Sequence, residues 1–374
     1  MIFERLRLVN FRNYRDVVVS FSPRVNVFVG ENGQGKTNLL EALFLLSQGD
    51  SFRYSDNTTL INSGCSEAII QARVVQNELH YKLQLGLSRS RKVLTMNDKR
   101  VTSTDIRKLF ASVVFSPESL SSIKEGADRR RELLDELLIT FDRRNADLIT
   151  DYRKALKTRN KILKNHLEGL QDRQVTLHLL ESINPAFLRL ATELTFARIF
   201  ALNGLAKEFN NAMQYISKND STEISVDYVI SSENGMSYTS EKVNNALQNR
   251  MSELQEAELS SGSSLVGPHK HDIVFLYGQK DSRFYCSQGQ QRAIILSFKI
   301  AQIVYHRKAH GTYPVLMLDD VLSELDKAKR DALISFLHEI NTQIFVTTTD
   351  FALPDSFKLD QVSVITIKDG HILN

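Results

Sequence analysis

Apolar and polar positions along the chain change rhythm three times. The first third reads as sheet: Val25–Val29 is a short apolar run of strand length, and a glycine-rich turn follows it. The next stretch, TNLLEALFLLS from Thr37, is apolar on nearly every side, which predicts a buried helix beginning near Lys36. Strands are expected at Ala68–Val75, at Tyr81–Leu87 with alternating character, and at Lys92–Met96, with Asn97-Asp98 as a tight turn before Val101. From Asp128 to Gly169 leucines and aromatic residues recur at helical spacing with charge between them. After a polar break at Gln171–Gln174 a second helical region follows, apolar at Phe187, Leu194, Ile199, Leu205 and Phe209, with a kink expected at Pro185. This reads as a helical hairpin or arm, because a long coiled coil needs a cleaner heptad over more turns. A strand at Ile224–Ile230 and a helix at Ser240–Leu259 complete the middle. Beyond the polar stretch SSGSSLVGPH, α/β character returns: the strand Val315–Leu318 runs into two aspartates, and the helix Lys327–Ile340 precedes a strand at Ile344–Val346. The expected organisation is one α/β domain split by a helical insertion, with divisions at 1–120, 121–262 and 263–374.

Composition narrows the class. Hydrophobic residues at 42% and charged residues at 24% exclude wholesale disorder. Two cysteines cannot build a disulfide framework and suit a reducing compartment. Glu4, Arg5 and Arg7 interrupt any apolar signal core at the start, and the most apolar later segment, IILSFKIAQIV, carries Lys299 and Gln302. No stretch approaches the roughly 20 apolar residues a membrane span requires. A cytoplasmic protein with no membrane partner is expected. The net charge of +3 is too small to establish a nucleic-acid partner by itself.

The chemistry begins at Gly30-Glu31-Asn32-Gly33-Gln34-Gly35-Lys36-Thr37, which fits the phosphate-loop pattern G-x-x-x-x-G-K-[ST]. Glycines let the backbone turn its N–H groups onto phosphates. The helix start adds its positive dipole end, Lys36 a point charge and Thr37 a hydroxyl for Mg²⁺. A chance glycine turn would not need to fall between a strand and a helix, as this one does. Asp319, after four apolar residues, is placed to anchor the metal, and its neighbour Asp320 to polarise an attacking water. The bland alternative for the pair is a strand-end turn, and Asp326 can simply cap the following helix. Ser287 and Gly289, in CSQGQQR before another helix, offer a second phosphate-binding helix start or an ordinary cap.

Taken together, GENGQGKT, CSQGQQR, LMLDD and SELD resemble the ABC-type ATPases. Within them the set is similar to the RecF recombination-repair family, relatives of the SMC chromosome proteins. Asn10–Tyr14, Ser116-Pro117-Glu118, Gly267-Pro268-His269 and Thr347–Asp350 carry the same likeness. The resemblance implies an α/β ABC-type P-loop ATPase head with an inserted helical arm. It also implies two copies facing each other, with each ATP held between one P-loop and the partner's signature segment. Gly30–Thr37 would bind ATP in cis, and Ser287, Gly289 and Gln290 would meet the γ-phosphate in trans. Asp319 and Thr37 would hold Mg²⁺, Asp320 would be catalytic, Ser323–Asp326 would face the other subunit, and Arg12 would reach the phosphates. Implied partners are DNA, a homodimer in the ATP state and a RecR-type recombination mediator. The implied work is repair and replication of DNA: helping to load recombinase at gapped or junction DNA and in the SOS response. Thr349 stands where ABC relatives carry a switch histidine, and Asp320 is one methylene shorter than the usual glutamate. Slow hydrolysis is therefore expected. His271 and Ser119 stand where acidic residues are expected.

Arg153, Lys154, Lys157, Arg159, Lys161 and Lys164 are six basic residues with no acid among positions 153–164. Lys154, Lys157, Lys161 and Lys164 share one helix face, giving a stripe able to contact DNA phosphates without reading sequence; Arg129–Arg131, Arg143 and Arg144 add to the arm. The bland alternative is a solvated helix face. No aromatic base-stacking platform stands out. A transporter's ATP-binding subunit would have a shorter interval between Thr37 and Ser287, an SMC-like ATPase would need a coiled coil of far greater length, and a nuclease would need a second acidic cluster.

Overall fold

The computed structural model describes residues 1–53, 55–217, 222–349 and 362–373. They form two compact units. The first comprises Met1–Ser121, Asn211–Ser221 and Ser287–Asn374, and the second Ser122–Asn210 and Thr222–Cys286.

At the centre of the first unit lies a six-stranded sheet in the order β16 (His371–Leu373), β15 (Val362–Lys368), β3 (Val25–Val29), β14 (Ile344–Thr348), β13 (Val315–Asp319) and β8 (Ser112–Phe115). All its pairings are parallel except that of β16 with β15. Every residue of β3 and β13 is buried, which is why both are apolar on either face, apart from Asn26 and Asp319, instead of alternating. The helix Lys36–Gln48 starts at Gly35 and ends at Gly49, whose φ of 78° is the left-handed conformation that terminates helices.

A second, antiparallel sheet has the order β2 (Tyr14–Ser20), β1 (Ile2–Phe11), β4 (Glu67–Gln76), β5 (Leu79–Ser88), β6 (Lys92–Met96) and β7 (Lys99–Val101). Leu6, Leu8, Ile70, Val74, Leu83 and Leu85 from its inner face join Leu39, Leu43 and Phe28 in one core. Its outer face mixes charged and polar residues such as Arg5, Arg7 and Arg73 with apolar ones, Arg7 standing opposite Val18 and Val9 opposite Ile69. Asn97 and Asp98 both have positive φ, 49° and 63°, as the tight turn between β6 and β7 requires. β1, β2 and β8 are strands that the hydrophobic pattern did not single out.

In the second unit the helices Ala127–Phe141, Asn145–Leu167, the Arg173–Ile216 helix as far as Asn210, and Ser240–Ser261 accompany a small sheet. Its order is β10 (Glu233–Asn234), β9 (Ile224–Ile230), β11 (Asp272–Tyr277) and β12 (Lys280–Asp281). The long helix continues through Pro185, so the proline terminates nothing. Arg159, one of the six basic residues at 153–164 but not of the lysine stripe, is only 1% exposed, with its guanidinium held by Glu258 at 2.6 and 2.9 Å and by Ser264 at 2.7 Å. Arg130 is likewise buried, forked onto Asp272 at 2.8 Å. A buried guanidinium needs its own carboxylate, and both arginines have one. Neither is available to a phosphate. No helix among the described residues is long and apolar enough to cross a membrane.

Candidate nucleotide site

The loop from Gly30 to Gly35 connects the buried strand β3 to the helix Lys36–Gln48. Gly33 and Gly35 have φ of 81° and 118°, conformations that favour glycine. Gly30 is required for a different reason, since a Cβ there would lie 2.3 Å from the Ile367 carbonyl oxygen on β15. The loop is gripped from outside. Asn13 Nδ2 and the Gly370 N–H donate to the Gln34 carbonyl at 2.9 and 3.2 Å, and the Tyr14 hydroxyl donates to the Gly35 carbonyl at 2.9 Å. The Asp369 N–H donates to the Gln34 side chain. Carbonyls pinned outward in this way leave the loop's N–H groups to face its hollow, where phosphates bind.

Lys36 is almost wholly buried, and its ammonium donates to the carbonyls of Gly30 at 2.6 Å and Glu31 at 2.8 Å. Burial pulls its pKa below the usual lysine value, against the opposing pull of Asp320 and Asp319. Thr37 Oγ1 donates to Asp319 Oδ1 at 2.7 Å, and Thr347 Oγ1 on β14 donates to the same oxygen at 2.9 Å. β13 pairs with β14 in a register that sets Asp319 opposite Thr347, which fixes this triangle. Burial raises the Asp319 pKa, and the two threonine hydroxyls partly offset it. A buried carboxylate beside a hydroxyl is a hard-oxygen pair that suits Mg²⁺, whose charge would relieve the desolvation of Asp319.

Asp320 follows with φ 49°, its N–H held by Thr347 Oγ1 at 2.8 Å and its carbonyl by Ser323 Oγ at 2.7 Å. This bend turns the chain from β13 into the single 3₁₀ turn Val321–Glu324. Asp326 caps the helix Lys327–Glu339 through the Lys329 N–H. Thr349 is exposed. Asp350, part of the likeness, lies outside the described residues.

Ser287 caps the helix Gln288–His310. Its hydroxyl accepts from the Gln290 N–H at 3.2 Å, and the Gln290 side chain accepts from the Ser287 N–H at 2.9 Å. Gly289 lies in this first turn. Both polar side chains bond within their own turn, and Arg292 behind them ties the helix to Glu324.

Arg12 is engaged away from the phosphate loop, on Glu41, Ser55 and the Thr59 carbonyl. A cation the sequence reading passed over lies closer to the metal corner. Arg53 donates to the Asn38 side chain at 3.2 Å, one residue beyond Thr37, and its charge lowers the Asp319 pKa. A lone arginine in a loop has no spacing signal that would have revealed it. Ser119 closes a capping box with Ser116 on the turn Pro117–Leu120, a position that a hydroxyl fills as well as an acid does.

On the second unit Lys154, Lys157, Lys161 and Lys164 are all exposed. Lys154 pairs with Asp151 and Lys164 with Glu168, while Lys157 and Lys161 have no ion pair among the described residues. Arg153 is turned to Asp135. His271 is buried with Nδ1 2.9 Å from the Tyr228 hydroxyl, and the charges of Arg198 and Arg131 act on it.

Similarity to known proteins extends over nearly the whole chain. The sequence profile of the RecF/RecN/SMC N terminal domain matches residues 2–371. The DNA replication and repair protein RecF of Heliobacterium modesticaldum is 34% identical over 376 residues, covering 100% of this chain and 99% of that protein. Its counterpart in Lactobacillus acidophilus is 33% identical over 94% of this chain and 92% of that protein. A solved structure described as the recombination mediator protein RecF-ATP in the RecFOR pathway superposes with a TM-score of 0.87. It is 29% identical and covers 99% of this chain and 96% of its own. A Pyrococcus furiosus Smc head domain, at 16% identity and a TM-score of 0.55, shares the fold. The fold is that of an ABC-type ATPase head, and the chain belongs to the RecF family of SMC-related ATPases.

Proposed function

We propose that the protein binds ATP and Mg²⁺ at Gly30–Thr37 and Asp319, closes as a homodimer on ATP, and serves DNA repair and replication. The observation that carries this reading is the convergence of Lys36, Thr37, Asp319 and Thr347 at the mouth of a glycine loop whose carbonyls are pinned outward. Thr37 and Asp319 would hold Mg²⁺, which when bound neutralises phosphate charge. Lys36 would exchange the carbonyls of Gly30 and Glu31 for phosphate oxygens, a stronger pairing for a buried ammonium. Arg53 is placed to add a second cation.

Neither the phosphate loop nor the Ser287 turn alone surrounds a γ-phosphate. A partner copy presenting Ser287, Gly289 and Gln290 would complete the shell, and ADP would lose those contacts. ATP then acts as a differential ligand for the closed pair, and a two-fold arrangement needs a single self-complementary surface. Asp320 would orient the attacking water, and its short side chain fits slow turnover. The relatives named DNA replication and repair protein, and the solved RecF-ATP structure of the RecFOR pathway, support a role in recombinational repair with DNA and a RecR-type mediator. In that role the protein would help load recombinase at gapped DNA, including in the SOS response. The segment 121–262 would be the DNA-facing arm, through Lys154, Lys157, Lys161 and Lys164.

Sedimentation of the wild type, Lys36→Met and Ser287→Arg with ATP, with ADP and without nucleotide tests the reading. Self-association is expected for the wild type with ATP alone. No ATP-driven association of the wild type would refute it.

A further inference from the structure

One hydroxyl on β14 serves both aspartates at the end of β13. Thr347 Oγ1 donates to Asp319 Oδ1 at 2.9 Å and accepts the Asp320 N–H at 2.8 Å. Accepting from the backbone leaves the single hydroxyl proton aimed at the carboxylate, so the two bonds orient each other. Thr347 is 1% exposed and Asp319 5%, so neither bond competes with solvent.

Both hydroxyls that reach Asp319, from Thr37 and from Thr347, choose Oδ1. Oδ2 accepts from no donor among the described residues, and it is the oxygen left for a cation. A carboxylate held at one oxygen presents the other in a fixed direction, as the strict geometry of Mg²⁺ demands. The second bond works on the next residue. Asp320 has φ 49°, a left-handed conformation that side chains rarely adopt, and it must be held there. Its N–H is tied to Thr347, and its carbonyl accepts from Ser323 Oγ at 2.7 Å. That bend decides where the Asp320 carboxylate points as the chain enters the turn Val321–Glu324.

The strand does not call for a hydroxyl at this position. β14 is buried and apolar at Ile344, Phe345 and Val346, and a valine at 347 would have the same shape and strand preference. A buried hydroxyl carries a desolvation cost that valine lacks, and here it is offset by bonds to the two aspartates. We infer that Thr347 is a positioning residue for the reaction of ATP, setting the metal-facing oxygen of Asp319 and the bend that aims Asp320. It acts through the aspartates and not by contact with the nucleotide. The inference rests on the proposed ATP and Mg²⁺ site and adds to it a residue from a third strand.

The test compares full-length wild type, Thr347→Val and Thr347→Ser. Affinity for a fluorescent ATP analogue is measured with Mg²⁺ and with EDTA, and turnover is measured at saturating ATP and Mg²⁺. The wild type is expected to bind more tightly with Mg²⁺. Thr347→Val is expected to lose about tenfold or more of that gain while its affinity in EDTA stays at the wild-type level. Its kcat should fall by about tenfold or more, with KM for ATP at saturating Mg²⁺ little changed. Thr347→Ser, which keeps the hydroxyl, should restore both. Should Thr347→Val fold poorly, Thr347→Cys is expected to show the same loss, since a thiol is a weak donor and acceptor. A Mg²⁺ gain and kcat equal to wild type in Thr347→Val would overturn the inference and leave the ATP site standing. So would a Thr347→Ser protein as impaired as Thr347→Val, which would assign the effect to lost packing. A wild type that binds no ATP, or binds it equally with EDTA, would overturn the proposed site along with the inference.

Discussion

Arg12 places both edges of its guanidinium on Glu41, Nε to Oε2 and a terminal nitrogen to Oε1, each at 2.9 Å. Glu41 is fully buried one turn beyond Thr37, and it also accepts from Ser51 and Ser55. The pair therefore fastens the β1–β2 turn to the helix behind the phosphate loop, while the next two residues, Asn13 and Tyr14, hold the loop itself. Removing one member of such a pair strands the other's charge. Arg12→Ala is expected to cost about 3–5 kcal/mol in urea unfolding, and Arg12→Gln/Glu41→Gln to recover most of that loss. An Arg12→Ala protein of unchanged stability that no longer takes up ATP would instead make Arg12 a phosphate ligand.

The loop glycines should fail for separable reasons. Gly30→Ala drives a methyl into the Ile367 carbonyl, so β3 or β15 must move. Gly33→Ala meets nothing within 4 Å and bears only the strain of φ 81°, about 1 kcal/mol. ATP affinity by calorimetry should therefore fall much further for Gly30→Ala. Equal losses would mean that conformation, not contact, governs the loop.

Acid should weaken the second unit before carboxylates titrate. Burial lowers the pKa of His269 to about 4 and of His271 to about 3, with neighbouring Arg131 adding to both. An unfolded histidine titrates near 6.5. Below that pH the unfolded chain takes up protons that the native protein refuses, so stability falls as pH drops from about 6.5 to about 4. The stabilisation is fully present above 6.5 and amounts to a few kcal/mol. Urea midpoints between pH 7.5 and 4.5 should show the decline, and His271→Gln should flatten it. An undiminished slope in that variant would exclude His271 as its source.

Asp320 should separate hydrolysis from closure. Asp320→Asn keeps a side chain tolerant of φ 49° while removing the carboxylate. Its turnover of ATP is expected to drop 10²-fold or more, as for loss of a general base, with ATP-driven self-association retained or prolonged. Unchanged turnover would take Asp320 out of the chemistry.

Much of this site was legible because local sequence dictates it. Strand, glycine turn and helix around Lys36, the buried run ending at Asp319, the cap at Ser287 and the turn at Asn97-Asp98 each depend on a few neighbouring residues. What could not be read depends on partners far along the chain. Nothing near Arg159 tells that its carboxylate is Glu258, so it counts in sequence as one more cation of a basic run. The bond from Arg12 to Glu41 was equally hidden, because that acid sits inside a helix of apolar pattern. The face bearing Arg5 and Arg73 emerges only once strand order and register are known, since those residues belong to strands that are not consecutive.

Gln34 and the hairpin that backs it, at Asp369 and Gly370, are separated by 335 positions, and β3 has both its neighbours, β14 and β15, from the last stretch of the chain. During synthesis the ribosome delivers β3 long before either flank exists. An apolar strand must therefore wait, unpaired, while the intervening residues emerge, and it invites wrong pairing throughout that interval. Competence to hold a nucleotide arrives only once β15 has emerged, and a nascent chain stalled short of Val362 would carry the complete phosphate-loop motif yet lack the wall it folds against.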